Sequence, residues 1–197
     1  LDARLRLSAT LPGGAANFAI APYPQGLEET VQWQGETLLL RPIRPEDEAL
    51  HREFVEQLSA EDLRLRFFSS RRELPRSELA RLTQIDYARE MAFIALRRRA
   101  DGSTQTLGVA RAVCDPDNIE AEFAVIVRSD LHGQGLGHLL MDKLIRYLRG
   151  HGTQRMLGHV LSENRAMREL AEGLGLRLLE EAEGELRFVL DLHASAC

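Results

Sequence analysis

Asp130, Leu131, His132, Gly133, Gln134, Gly135, Leu136, Gly137 and His138 form the stretch that decides the fold of this 197-residue chain. Before it, residues 119–127 are the most continuous β-prone segment, with Phe123, Val125 and Val127 on one face and Glu122, Ala124 and Ile126 on the other. After it, Leu136, Leu139, Leu140, Leu144, Tyr147 and Leu148 recur at helical spacing, which predicts an amphipathic helix over 135–149 that Gly150 and Gly152 stop. A glycine-rich turn between strand and helix exposes backbone N–H groups at the positive end of the helix dipole, an arrangement suited to phosphates. Two common phosphate motifs fail here. The P-loop needs a lysine after its last glycine, and a dinucleotide fingerprint begun at Gly133 needs a sixth-position glycine; His138 stands at both places. The spacing that fits is a basic or polar residue, here His132, two further residues, Gly135, one residue, and Gly137.

Glu122 is the candidate chemical group beside this turn. A carboxylate within an apolar run is costly to bury unless it is paired, hydrated or used. A carboxylate that is used can take up a proton directly or through water, which makes Glu122 a candidate general base. The alternative is that the strand emerges at Glu122 and the side chain simply faces solvent.

Working outward, the chain reads as a strand over 37–43, a helix entered through Pro45, Glu46, Asp47 and Glu48, and a second short helix behind a Ser59/Asp62 capping box. A third helix starts near Ser77. Strands follow over 91–96, 107–113, 119–127 and 156–161, then a helix over 163–174 capped by Ser162, and a last hairpin from 176–179 and 186–190. This order is mixed α/β (α+β), with antiparallel hairpins and at least two crossovers that would make neighbouring strands parallel, and predicts a central sheet of about seven strands flanked by helices. Residues 1–35, broken by Pro12, Gly13, Gly14, Pro22, Pro24 and Gly26, read as a linker or docking arm, leaving 36–197 as the folded domain.

A formal charge of −5 removes any overall electrostatic reason to coat nucleic acid. No apolar run reaches the roughly 18 to 20 residues of a membrane span, and no signal peptide opens the chain, so a cytoplasmic protein is expected. Two cysteines, Cys114 and Cys197, and six scattered histidines make neither a disulfide framework nor a metal cluster. Cys114 reads as a buried strand thiol rather than a nucleophile.

The turn from His132 to His138 resembles the pyrophosphate loop of the GNAT acetyltransferases, which cradles coenzyme A. Longer stretches, residues 40–47, 59–69, 83–93 and 115–137, resemble the acetyltransferase domain of the bacterial protein lysine acetyltransferases of the Pat family. The resemblance implies a GNAT fold and transfer of acetyl from acetyl-CoA, with no metal, to a protein lysine, notably the active-site lysine of AMP-forming acyl-CoA synthetases. It implies Glu122 as general base, Val125, Ile126 and Val127 as the strand that pairs with pantetheine, and His132, Gly133, Gln134, Gly135, Leu136, Gly137 and His138 as the pyrophosphate loop. Asn164 is implied as the cofactor-side asparagine. Ala171 stands where many GNAT enzymes have a tyrosine, a departure shared with the Pat branch. Residues 1–7 resemble the closing strand of an upstream acyl-CoA synthetase-like region, which that family fuses to its GNAT domain. Arg64, Arg66, Arg71, Arg72, Arg76 and Arg81 are expected near the acceptor groove, where they would steer an acidic protein surface. Two other functions use the same residues: acetylation of a small amine, and non-catalytic sensing of acyl-CoA.

Overall fold

The structure, a computed structural model, describes residues 21–67 and 75–193. Eight strands form one sheet in the order β1-β2-β3-β4-β5-β6-β8-β7. β1 (Glu29–Trp33) and β2 (Glu36–Pro42) make a hairpin whose two turn residues, Gln34 and Gly35, have φ of +52° and +78°. Such a turn matches the twist of its strands. The sheet therefore begins within the segment read as an arm, and the eighth strand is β1; residues 1–20 of that arm lie outside the described residues.

A 3-10 turn over Pro45–Asp47 leads into α1 (Glu48–Glu56), with α2 (Ala60–Phe67) and α3 (Arg76–Thr83) behind it. Asp47 fixes the entry. Its carboxylate takes two buried hydrogen bonds of 2.7 Å from the Arg41 guanidinium and a part-buried one of 2.7 Å from the Arg44 N–H.

β3 (Glu90–Arg98), β4 (Thr104–Cys114) and β5 (Glu120–Val127) form the antiparallel centre, and α4 (Leu136–Gly150) crosses from β5 to β6 (Arg155–Leu161). α5 (Arg165–Gly173), β7 (Arg177–Ala182) and β8 (Glu185–Asp191) complete the fold. Among the described residues every strand pair is antiparallel except β5 with β6, so one of the two expected crossovers makes neighbouring strands parallel and the other does not: β8 lies between β6 and β7. α4 packs on one face with Phe93, Leu140 and Leu144, while α1 to α3 cover the other with Phe54, Leu79, Ile94 and Val109. Cover on both faces explains why Met91 to Leu96 are all buried.

α5 starts two residues later than its expected cap. Asn164 accepts the Met167 N–H at 3.0 Å, whereas Ser162 lies in the turn just after β6 and donates its N–H to Gly184 C=O. Among the described residues no helix is long and apolar enough to cross a membrane, and no group of three His, Cys, Asp or Glu side chains gathers as a metal site.

Candidate active site

The parallel contact between β5 and β6 lasts three residues, ending at Glu122 opposite Leu157. Beyond it the strands diverge, while β5 remains paired with β4 as far as Val127. The direction of the freed groups follows from alternation. Arg128 donates its N–H to Leu107 of β4 (2.9 Å), so Ala124 and Ile126 also face β4, and Val125 and Val127 present N–H and C=O on the open side. The Val127 carbonyl lies 3.1 Å from His132 Nε2. An unpaired edge of this kind is a template for an extended ligand that offers an amide.

A cleft of about 490 Å³ opens between the diverging strands, with Glu122 at its vertex and α5 along its far wall. At its end lies the glycine turn. Gly133 and Gly135 adopt φ of +73° and +83°, a region costly to other residues, and a Cβ on either would meet nothing within 4 Å. Backbone conformation, not space, therefore demands these two glycines. Gly137 differs, because a Cβ there would lie 3.3 Å from Leu170 of α5; it permits close packing of α4 on α5. The first intrahelical bond of α4 runs from Leu139 N–H to Gly135 C=O, so the N–H groups of Leu136, Gly137 and His138 are left at the positive end of a 15-residue helix. That set can hold a diphosphate.

Of the residues singled out from the sequence, Glu122, Val125, Ile126, Val127, His132, Gly133, Gly135, Leu136, Gly137, His138 and Asn164 all line the cleft. Gln134 does not. Its side chain donates to Asp130 C=O (3.2 Å), and its own carbonyl turns away to accept the indole N–H of Trp33 at 2.9 Å. Asn164 uses Oδ1 as the α5 cap, which leaves its amide nitrogen for a ligand. Ala171 is fully buried in the core and faces away from the cleft, and no tyrosine is among the cleft-lining residues described.

Glu122 is exposed to the cleft and not embedded in the core, so its carboxylate is open to whatever enters. Arg66 of α2 approaches it from the facing side. Packing against the strands pushes the Arg66 pKa down to about 10, with the Arg111 charge adding to this and Glu122 opposing it. The guanidinium stays charged at neutral pH.

α2 is tied to the glycine turn through Asp62. Ser59 Oγ accepts the Asp62 N–H (3.0 Å) and donates to Asp62 Oδ2 (2.7 Å), as expected of the capping pair, but the Ser59 N–H goes instead to Ser129 Oγ (2.9 Å), which itself donates to Asp62. Arg64 reaches Glu163 at 2.6 Å, joining α2 to the start of α5 across the diverging strands. The arginine group is therefore partly neutralised: Arg64 also holds Glu61, and Arg76 holds Glu48 at 3.4 Å. Arg71 and Arg72 lie outside the described residues. Cys114 is half-buried with its thiol pushed up by burial, which makes it a poor nucleophile, and Cys197 lies outside the described residues.

A family model, the acetyltransferase (GNAT) domain, matches residues 37–177. Acetyltransferase PA5475 of Pseudomonas aeruginosa is 36% identical over 141 residues, covering 72% of this chain and 75% of that protein. Acetyltransferase Pat of Mycolicibacterium smegmatis is 33% identical over 159 residues, 80% of this chain and 46% of Pat, so the chain spans under half of that relative. Among solved structures, the GNAT domain of S. lividans PAT superposes with a TM-score of 0.78 at 25% identity, over 86% of this chain and 99% of that one. The fold is also that of spermidine N-acetyltransferase from Vibrio cholerae in complex with CoA and spermine, with a TM-score of 0.62 at 18% identity over 79% and 95% of the two chains. The diverging strands, the glycine turn and the carboxylate all fall within the matched segment, and the chain belongs to the GNAT acetyltransferase family.

Proposed function

We propose that this chain is a protein lysine N-acetyltransferase that moves acetyl from acetyl-CoA to a lysine side chain, with the active-site lysine of AMP-forming acyl-CoA synthetases as the acceptor. The observation that carries the reading is the convergence, in one cleft, of a free strand edge at Val125, an amide cradle at Gly133 to His138, and the exposed carboxylate of Glu122. The likeness to Pat of M. smegmatis and to the PAT domain of S. lividans supports the choice of a protein acceptor. On this reading a cytoplasmic enzyme meets its acyl-CoA synthetase as a separate partner, and an acyl-CoA synthetase-like region lies upstream of the acetyltransferase domain.

Each part of the chain has one task. The amides of Gly135 to His138 hold the diphosphate, and the open edge of β5 pairs with the pantetheine amides. The strand N–H at Val125 polarises the thioester carbonyl, stabilising the negative charge that develops on its oxygen. Glu122 accepts a proton from the lysine ammonium, directly or through water. The amine nitrogen then bonds to the carbonyl carbon, the carbon–sulfur bond breaks with its electron pair leaving on sulfur, and the second proton, shed by the acylated nitrogen, passes through water to the thiolate. Attack takes place with both substrates bound, so no covalent enzyme intermediate is needed.

Glu122→Gln tests the assignment. The variant should bind coenzyme A as wild type does while kcat falls about 10²- to 10⁴-fold, and acetylated lysines mapped by mass spectrometry on an acyl-CoA synthetase should disappear. Unchanged transfer removes Glu122 as base. Binding of acetyl-CoA with no acceptor modified points to a sensing module, and turnover of a polyamine but no protein points to a small-amine acetyltransferase.

A further inference from the structure

We infer that Trp33 is a positioning residue for the diphosphate cradle: its indole N–H fixes the orientation of one peptide group in the glycine turn. The inference rests on the reading of that turn as a coenzyme A site. The sole tryptophan of the chain sits at the end of β1, 9% exposed, and donates to the carbonyl of Gln134 at 2.9 Å, with Gln34 Nε2 at 3.4 Å from the same oxygen.

A trans peptide is planar, so the C=O of one residue and the N–H of the next point in opposite directions. Drawing the Gln134 carbonyl toward β1 therefore turns the Gly135 N–H the other way, toward the cleft that Gly135 lines and Gln134 does not. Local sequence does not fix this orientation. Gln134 lies between two glycines in the left-handed region, neither with atoms within 4 Å of where a Cβ would stand, and its own side chain holds the Asp130 carbonyl rather than this peptide, so packing at the glycines does not oppose rotation of the peptide that follows it. The Trp33 bond opposes it.

The tether is itself anchored. At the other end of β1, Glu29 pairs with Lys143 (3.1 Å) and Arg146 (2.8 Å) of α4, and Val31 between them packs on the core. Four strand residues span about 13 Å, and the ten or so helix positions from Gln134 to the Lys143 and Arg146 level span about 15 Å, so β1 runs along α4 and holds it at two points. A rigid strand thus carries the donor that sets the loop.

Trp33→Phe keeps a large ring and removes the donor. The net worth of one hydrogen bond corresponds to about a 3- to 10-fold change in affinity. Titration calorimetry should show coenzyme A bound more weakly by that factor, and KM for acetyl-CoA should rise in step. The ratio decides the matter: kcat/KM with acetyl-pantetheine, which lacks the diphosphate, should fall by less than 2-fold. A general packing role would weaken both substrates alike, and equal losses, or none, overturn the inference. If the variant does not fold, the wild-type protein still tests it. Trp33 emission should shift on adding coenzyme A and stay unchanged with pantetheine, and a silent tryptophan at saturating coenzyme A overturns the assignment. Failure of wild type to bind coenzyme A at all would instead remove the reading of the turn.

Discussion

Gly158→Ala probes the point where the sheet opens. Gly158 is the β6 residue that follows the last parallel pair, and the ring of Phe123 lies directly on it. A Cβ at 158 would stand 2.2 Å from Phe123 Cε1 and 2.5 Å from Cζ, against the roughly 3.5–4.0 Å of relaxed carbon contacts. The ring must retreat by more than about 1 Å. It is 5% exposed and embedded in the α4 side of the core, so any retreat, even toward the adjoining cleft, breaks the packing that holds it. Overpacking of this kind costs about 1–3 kcal/mol, and a stiff, enclosed ring puts the cost in the upper half of that range. At about 2–4 °C per kcal/mol for a domain of this size, melting should fall by about 5–10 °C. Phe123 also lines the cleft, so affinity for coenzyme A should drop with it. Shortening the ring relieves the clash: the double variant Gly158→Ala with Phe123→Leu should be more stable than the sum of the two single losses by at least about 1 kcal/mol. Calorimetric melting of the four proteins reads both terms. A single variant melting within 1 °C of wild type, or strict additivity in the double variant, would refute the claim that this glycine exists to seat the ring.

Two further outcomes follow from buried polar groups of the α1 side. His51 is 6% exposed, its Nδ1 has no partner, and burial with the Arg111 charge pushes its pKa down to about 4 from 6.5, Asp47 opposing and Arg66 adding. The unfolded chain then binds the extra proton, so stability is full above about pH 6.5 and is lost as pH falls toward 4; about 2 kcal/mol should vanish between pH 7 and 5. Urea midpoints at both pH values should show this loss shrinking in His51→Gln, and an equal loss in the variant excludes His51 as its source. Asp47→Asn strips the charge from a buried pair with Arg41 and should cost about 3–5 kcal/mol by denaturant melting, whereas Arg41→Met with Asp47→Leu should cost less than the single change. A single loss under about 1 kcal/mol contradicts the buried-pair account.

β5, α4 and the turn between them were legible because each announces itself locally: alternation in 119–127, helical spacing in 136–148, and glycines where φ must be positive. β1 was not legible. Its five residues alternate weakly, and its hairpin turn uses Gln34 at a positive φ where asparagine, aspartate or glycine usually signals such a turn. Serine 162 and Asn164 both suit a helix cap, and only the pairing of Ser162 with Gly184 assigns the cap to Asn164. Glu122 stood out as one carboxylate among apolar neighbours. Arg66 was expected beside the groove and does line it, whereas Trp33 and Asp62 reach the site from β1 and α2 through contacts spanning many residues, which no local period encodes.

The open edge and the cradle share one physical origin. Among the described residues β5, α4 and β6 form the one crossover between neighbouring parallel strands, so the helix must start beside the end of β5 and return its partner strand alongside. The strands part after Glu122, and the groups this frees on β5 lie at the same end as the uncompensated N–H groups of α4. Val127 finds His132 for its carbonyl, while Val125, partly buried on the cleft wall, keeps its edge for whatever enters. Leaving such groups unpaired costs free energy that water or a ligand must offset. A molecule carrying amides followed by a diphosphate meets both needs in the order in which the chain presents them, strand first and helix terminus second.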